Sequence, residues 1–187
     1  MITGKIIELI PAEQDDRRRA YDWCFQSETT KAHSGPPDYP DVPILTFEEF
    51  CDDHPDYYFN GTEPYNGRGF FIIHNEEPVG FITYSGFHMK PKKFELDIWM
   101  KSEADCGKGF GTDAIVALGD YLGKTFGIRE LVMRPSFKNK RAVKSNKNAG
   151  FKESDAPPDY YMLEEYISLY GPGDYGEDET ALLIKQL

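Results

Sequence analysis

The stretch DCGKGFGTDA, residues 105–114, alternates three glycines and then passes into a helix-forming pattern. Glycine is costly inside a helix or a strand, so three of them here need a reason. A strand, a glycine loop and a helix start together make an anion site. The first N–H groups of a helix lack intrahelical partners, and the helix dipole favours negative charge. Missing Cβ atoms let the backbone approach a phosphate, and Thr112 adds a hydroxyl. A tight turn with positive φ is the structural alternative, and it accounts for one glycine but not for three in alternation. Just upstream, KFELDIWM (93–100) alternates. Glu95, Asp97 and Trp99 share one face of that strand, and Phe94, Leu96, Ile98 and Met100 share the other. Carboxylates beside an anion loop can order a water for proton transfer or hold a substrate cation.

The kind of phosphate follows from what does not fit. A Walker A loop needs Gly-Lys-Ser/Thr after four intervening residues, which is absent. Gly109-Phe-Gly111-Thr-Asp-Ala114 fits a dinucleotide fingerprint GxGxxA. Three features count against it. The connection from Met100 to Gly107 is too long for a tight first βα turn. The preceding strand carries charge on one face, whereas a buried parallel strand is apolar throughout. The next strand ends in Arg134-Pro135, without a ribose-binding acid. Coenzyme A, with a pyrophosphate and a 3′-phosphate, is the third candidate. A basic run, KNKRAVKSNK (138–147), lies downstream; Lys138, Lys140, Arg141, Lys144 and Lys147 suit phosphates or simply solvate a helix face.

GKGFGTDA, a helix, a strand and then NKRAVKSNKNAGF resemble the acetyl-CoA-binding half of the GNAT N-acetyltransferases, over roughly residues 70–151. Gly109 and Gly111 fall on the loop glycines of that family, and Asn139, Ala142, Gly150 and Phe151 on its later helix pattern. The Asp97 strand followed by GKGFGT looks most like the aminoglycoside 6′-N-acetyltransferase branch. The resemblance implies one acetyl-CoA-dependent domain over 1–187 of α/β (α+β) class. Its sheet would be central, mixed and mostly antiparallel, with six to seven strands, helices on both faces and a splayed central strand pair. Acetyl-CoA would be a co-substrate, with no metal. Backbone N–H groups of Ile98, Trp99 and Met100 would hold the thioester, one of them polarising its carbonyl. Cys106, Gly107, Lys108, Gly109, Phe110, Gly111 and Thr112 of the loop, with Asn139, Arg141 and Ser145 of the helix, would bind the coenzyme. Lys108 is the better phosphate contact among the lysines.

The implied reaction is attack of a free amine on the thioester, which the scaffold promotes by juxtaposition. Neutralising an alkylammonium at pH 7 costs roughly 4 kcal/mol. Asp97 and Glu95 are the candidate catalytic carboxylates, ordering a water or holding the cation, with Trp99 acting through its peptide. The region EEFCDDHPDYYFNGTEPY (48–65) lines the acceptor site in this family. Asp52, Asp53 and Asp56 suit a cation there, and Trp23, Phe25, Tyr57, Tyr58 and Phe59 are candidate walls. The acceptor implied is a small cationic amine, aminoglycoside- or polyamine-like. A protein N-terminus and a CoA-binding module without turnover are the alternatives. Two residues depart from the family pattern. Cys106 stands where Gln or Arg is usual, and Asn146 stands where many members carry the tyrosine that protonates the thiolate. A covalent acyl-enzyme on Cys106 would need a base, and no histidine is near it in sequence.

The rest of the 187-residue chain must position these groups. Its net charge of −11 disfavours nucleic acid and suits either plain solubility or a cationic partner. It shows no membrane-spanning run, no secretory leader and no metal-binding cysteine pair. Three widely spaced cysteines suit a reduced cytoplasmic protein, monomeric or homodimeric. His33, His54, His74 and His88 are isolated and read as surface or structural residues. Periodicity predicts strands at 5–11, 68–74, 78–85, 93–100, 130–135 and 180–187. It predicts helices at 12–28, 46–54, 113–127, 140–149 and 160–170, with loops at 34–43, 156–160 and 171–180.

Overall fold

The computed structural model describes residues 1–33, 43–176 and 178–187, with backbone only at His33. Eight strands form one sheet: β1 (Ile2–Thr3), β2 (Glu8–Pro11), β3 (Gly67–His74), β4 (Glu77–Ser85), β5 (Lys93–Met100), β6 (Glu130–Met133), β7 (Lys152–Glu153) and β8 (Leu183–Gln186). Their spatial order is β1-β2-β3-β4-β5-β6-β8-β7. Every pairing is antiparallel except β5 with β6. The helices are α1 (Arg17–Phe25), α2 (Thr30–His33), α3 (Phe47–Asp53), α4 (Tyr57–Asn60), α5 (Phe110–Phe126), α6 (Lys140–Asn148) and α7 (Glu164–Tyr170).

The mixed, mostly antiparallel sheet is the one expected, but it has eight strands and not six or seven. The additional β1 and β7 are two residues each, too short to show alternation. The strand expected over 5–11 narrows to β2. The helix expected over 12–28 opens with a 3-10 turn at Gln14–Asp16 and ends at Phe25. That expected over 160–170 is helical only from Glu164. α5 starts at Phe110 and not at 113, which puts Gly111 inside the helix. Of the loop expected at 34–43, residues 34–42 lie outside the described residues.

Strand alternation builds a core on each face. Phe94 and Leu96 of β5 pack with Ala114, Ile115, Leu118 and Leu122 of α5. The opposite face sends Trp99, Phe81 and Phe71 against Ala20, Tyr21 and Cys24 of α1, Phe50 of α3 and the α4 aromatics Tyr58 and Phe59. Each fully buried large side chain contributes about 1.5–3 kcal/mol. A smaller cluster of Met89, Val132, Met162 and Leu182 lies beyond β6, with Ile167 and Tyr170 of α7 against it. The β3–β4 hairpin turns at Asn75 and Glu76, both with positive φ, the pairing that matches strand twist in a two-residue loop.

Gly86, just past β4, is held where a side chain has no room. A Cβ there would lie 2.2 Å from Phe94 Cε1 and 2.3 Å from the Tyr65 carbonyl oxygen. Gly86→Ala is expected to cost about 1–3 kcal/mol of stability by overpacking, measured by urea unfolding. A change below about 0.5 kcal/mol would show that the β4–β5 connection repacks freely.

Candidate active site

β5 parts from β6 after three residues. The parallel pairing runs only from Lys93–Glu130 to Glu95–Val132, while β5 stays paired with β4 as far as Gly80–Met100. The Lys101 N–H donates to the Val79 carbonyl across the β4 edge. Hydrogen-bonding direction alternates along a strand, so the peptides of Asp97 and Trp99 also face β4. Those of Ile98 and Met100 face the other way, past the end of the β6 pairing. The Ile98 N–H is met by Asp97 Oδ1 at 2.9 Å, and the Met100 carbonyl accepts from Thr29 Oγ1 at 2.8 Å.

A cavity of about 1100 Å³ opens at this parting and is lined from both faces of the sheet. On the α5–α6 side it meets Ile98, Met100, Gly107, Gly109, Gly111, Thr112, Lys144 and Ser145. The three glycines there have two different reasons. Gly107 and Gly109 take φ of +73° and +89°, a region that side chains avoid. Gly111 is helical, and a Cβ on it would sit 3.4 Å from Ile98 Cδ1 and 3.9 Å from Ser145 Oγ, in the cleft itself. Asp113, in the first turn of α5, accepts the N–H groups of Ile6 and Ile7 at 2.7 and 3.2 Å. The β1–β2 connection is thereby tied to the glycine loop. Thr112 and Ser145 hydroxyls lie 3.0 Å apart and join α5 to α6.

The opposite side of the cavity is acidic. Asp53, Glu95, Asp97 and Asp174 line it with Tyr58, Thr83, Ser85, His88 and Arg134. Glu95 is 15% exposed and accepts Arg134 Nε at 2.6 Å, Arg134 Nη2 at 3.1 Å and the His88 Nε2 bond at 2.7 Å. Burial opposes its charge, but the Arg134 guanidinium and the His88 bond outweigh that and hold its pKa down at about 2. Arg134 also donates to the carbonyls of Tyr170 and Gly171 at the end of α7, at 2.6 and 3.3 Å. Burial, then the charges of Asp174, Asp52 and Glu49, raise the Asp53 carboxyl. Burial, then Asp97 and Asp174, push the Cys24 thiol well up.

A cradle that a Cβ would fill, helical N–H groups after a glycine loop, and two peptides without a strand partner suit a pantetheine arm and its pyrophosphate. The sequence profile of the acetyltransferase (GNAT) domain matches residues 7–152. The chain belongs to the GNAT acetyltransferases. Among curated protein sequences none matches it. Solved structures share its fold at low identity. RimL, a ribosomal L7/L12 alpha-N-protein acetyltransferase in complex with coenzyme A, is 14% identical with a TM-score of 0.70, covering 98% of this chain and 96% of its own. The spermidine N-acetyltransferase from Vibrio cholerae, with CoA and spermine, is 15% identical with a TM-score of 0.67, over 98% and 96%. The aminoglycoside acetyltransferase AAC(6')-Ib, with coenzyme A and kanamycin, is 16% identical with a TM-score of 0.64, over 96% and 94%.

As a GNAT acetyltransferase the chain uses acetyl-CoA as its co-substrate, and the placement of each expected residue takes on meaning. Ile98, Trp99, Met100, Cys106, Gly107, Gly109, Phe110, Gly111, Thr112, Asn139, Arg141 and Ser145 all reach the cavity; Lys108 does not. Several are already engaged. Asn139 caps α6 by accepting the Ala142 N–H and donates to the Ala32 carbonyl of α2. Arg141 forms a two-pronged pair with Glu103 at 2.6 and 2.9 Å. Lys138 and Lys147 pair with Glu179 and Glu153. Lys140 and Lys144 have no carboxylate partner among the described residues and face the cavity. The Cys106 thiol is pushed up by burial, with Arg141 opposing, so it is a poor nucleophile.

Three expectations change. The Trp99 indole is 3% exposed and donates to the Ala20 carbonyl; with its peptide facing β4, Trp99 packs and does not polarise. Glu95, ionised and saturated with donors, is not a base. Of the expected acceptor residues only Asp53 and Tyr58, with Phe25, line the cavity. Asp52 points to solvent on α3, Trp23 packs edge-on against Phe71, and Tyr57 stacks on Tyr58 outside. Asp56 is paired with Arg17. Sequence reasoning missed Arg134, Asp174 and His88. Asp174 sits in the loop expected over 171–180, and Arg134 in the strand expected over 130–135, where its place was read only for the ribose-binding acid it lacks. His88 was taken as isolated because Glu95 stands seven residues away across a turn.

Two outcomes are expected. Gly111→Val, at a helical position with ordinary φ, should keep the fold by circular dichroism and abolish CoA binding in calorimetry; unchanged affinity would remove the loop from the site. Glu95→Gln should cost about 3–5 kcal/mol at pH 7, because it leaves Arg134 buried without its counter-charge. The depressed Glu95 pKa stabilises the native state above the ordinary value of 4.5 and ceases to do so as pH falls towards about 2. The difference between wild type and variant in urea unfolding should therefore shrink below about pH 4.

Proposed function

We propose that this acetyltransferase acetylates a primary amine of a small acceptor carrying more than one positive charge, aminoglycoside- or polyamine-like. The division of charge within one cavity supports this reading. Lys140 and Lys144 stand on the coenzyme side, and Asp53, Asp97 and Asp174 on the other. Among the described residues one guanidinium, that of Arg134, stands on the acidic side, and it is paired with Glu95. Asp53 and Asp97 on that wall favour an ammonium over any neutral or anionic acceptor.

Acetyl-CoA supplies the activated acyl carbon. The Met100 peptide, facing the parting, offers an N–H to the carbonyl oxygen as charge develops. Asp97, on the same strand three residues back, holds the acceptor cation. Asn146 is 1% exposed, and its Nδ2 is buried without a hydrogen-bond partner among the described residues. That amide can donate to a thiolate but cannot protonate one. A thiol with a pKa near 8.5 leaves acceptably without an acid.

A thiol-release assay over an amine panel, with spermidine, kanamycin and a peptide N-terminus, tests the acceptor class. Turnover of the peptide alone would overturn it. Within the active class, Asp97→Asn should raise the acceptor KM on the order of 10-fold or more, the scale of a charged hydrogen bond. The acetyl-CoA Kd should stay unchanged. A loss in kcat that narrows with rising pH would instead make Asp97 the residue that orders the proton-accepting water. Kinetics equal to wild type across about pH 6–9 would make it a bystander.

A further inference from the structure

His88 follows β4 and is 5% exposed on the acidic wall of the cavity. Its Nε2 lies 2.7 Å from Glu95 Oε2. That carboxylate is ionised and already accepts two bonds from Arg134, so the hydrogen in the bond belongs to His88 Nε2. A neutral imidazole with its proton on Nε2 presents Nδ1 as a lone pair. His88 Nδ1 is buried with no hydrogen-bond partner among the described residues. A buried polar atom left without a partner is destabilising, and an incoming N–H donor would relieve that. The surroundings fix the ring without supplying that donor. Phe87 packs edge-on at 4.6 Å between centroids, and Tyr170 of α7 lies at 5.7 Å.

We infer that His88 Nδ1 is the catalytic base that takes a proton from the acceptor's ammonium, with Glu95 and Arg134 as positioning residues that hold the ring in its Nε2–H form. The inference rests on the amine acceptor proposed above. The balance is simple. One proton passes from R–NH3+ to Nδ1, giving the neutral amine and an imidazolium. The amine lone pair forms the N–C bond to the thioester carbon, and the C–S bond breaks. The second nitrogen proton goes to the leaving sulfur, and the imidazolium returns its proton to solvent. No oxidant or further reactant is needed. Glu95 of β5 meets the ring at Nε2, Arg134 after β6 stands behind that carboxylate, and Tyr170 of α7 packs on the ring, while Asp97, Tyr58 and Asp174 line the same cavity.

His88→Gln separates the roles, since a glutamine amide can still donate to Glu95 but has no basic atom. With spermidine or kanamycin, whichever the wild type acetylates, kcat at pH 7 is expected to fall on the order of 100-fold. The acetyl-CoA Kd and the thermal midpoint should hold, and the deficit should narrow as pH rises and solvent supplies free amine. His88→Ala should regain rate with added imidazole. Nitrogen-15 spectra of histidine-labelled enzyme, assigned by loss of the signal in His88→Gln, should show Nε2 protonated and Nδ1 bare. Wild-type kcat in His88→Gln, or a proton on Nδ1, would overturn the inference. If the wild type acetylates neither amine, the acceptor reading fails instead, and the nitrogen spectra alone decide for or against His88.

Discussion

The parting of β5 from β6 is the constraint on which the rest depends. Three parallel pairs hold the strands together and then stop. Continued pairing would have consumed the peptides of Ile98 and Met100 and closed the sheet over the cavity that opens there. The open edge is stabilised from outside. Thr29 donates to the Met100 carbonyl, and Asp97 accepts the Ile98 N–H. A sheet interior tolerates unpaired peptides only when something else satisfies them, and here the side chains of Thr29 and Asp97 take part of that task. The cavity passes through the sheet because both its faces are open at this point.

The second organising element is the buried network of Arg134, Glu95 and His88. It joins β5, the segment after β6 and the end of α7, whose last carbonyls would otherwise lack donors. Such pairs are weak evidence for stability, since desolvation consumes much of their attraction. Their consequence here is geometric. The guanidinium fixes the start of the 171–176 segment, which brings Asp174 to the cavity wall.

Much of the site was legible because the chemistry is local. The glycine loop, the helix after it and the Asn139 cap are contiguous runs with strong local rules, and their residues gather at one end of the cavity. Asp97 and Glu95 were legible as a pair on one strand face. Their different fates were not. Whether a carboxylate is free or clamped depends on Arg134, thirty-nine residues beyond Glu95, and no periodicity records such a contact. The acceptor wall was least legible for the same reason. It is assembled from α1, α3, β4, β5 and the segment after α7, so Trp23, Asp52 and Tyr57 fell on the wrong side of short helices. Gly111 shows the opposite limit. Its type was noticed, but its reason, a cleft in a first helical turn, needed α5 to begin three residues early.

The two hydrogen bonds from Ile6 and Ile7 to Asp113 make the first strands a reporter on the glycine loop. The first turn of α5 cannot loosen without releasing these amides, so their hydrogen-exchange rates time the opening of a loop more than one hundred positions away in sequence. The same tether carries disturbance in the other direction. A bulky tag fused at Met1, or cleavage of the first residues, would pull on a carboxylate beside the coenzyme loop.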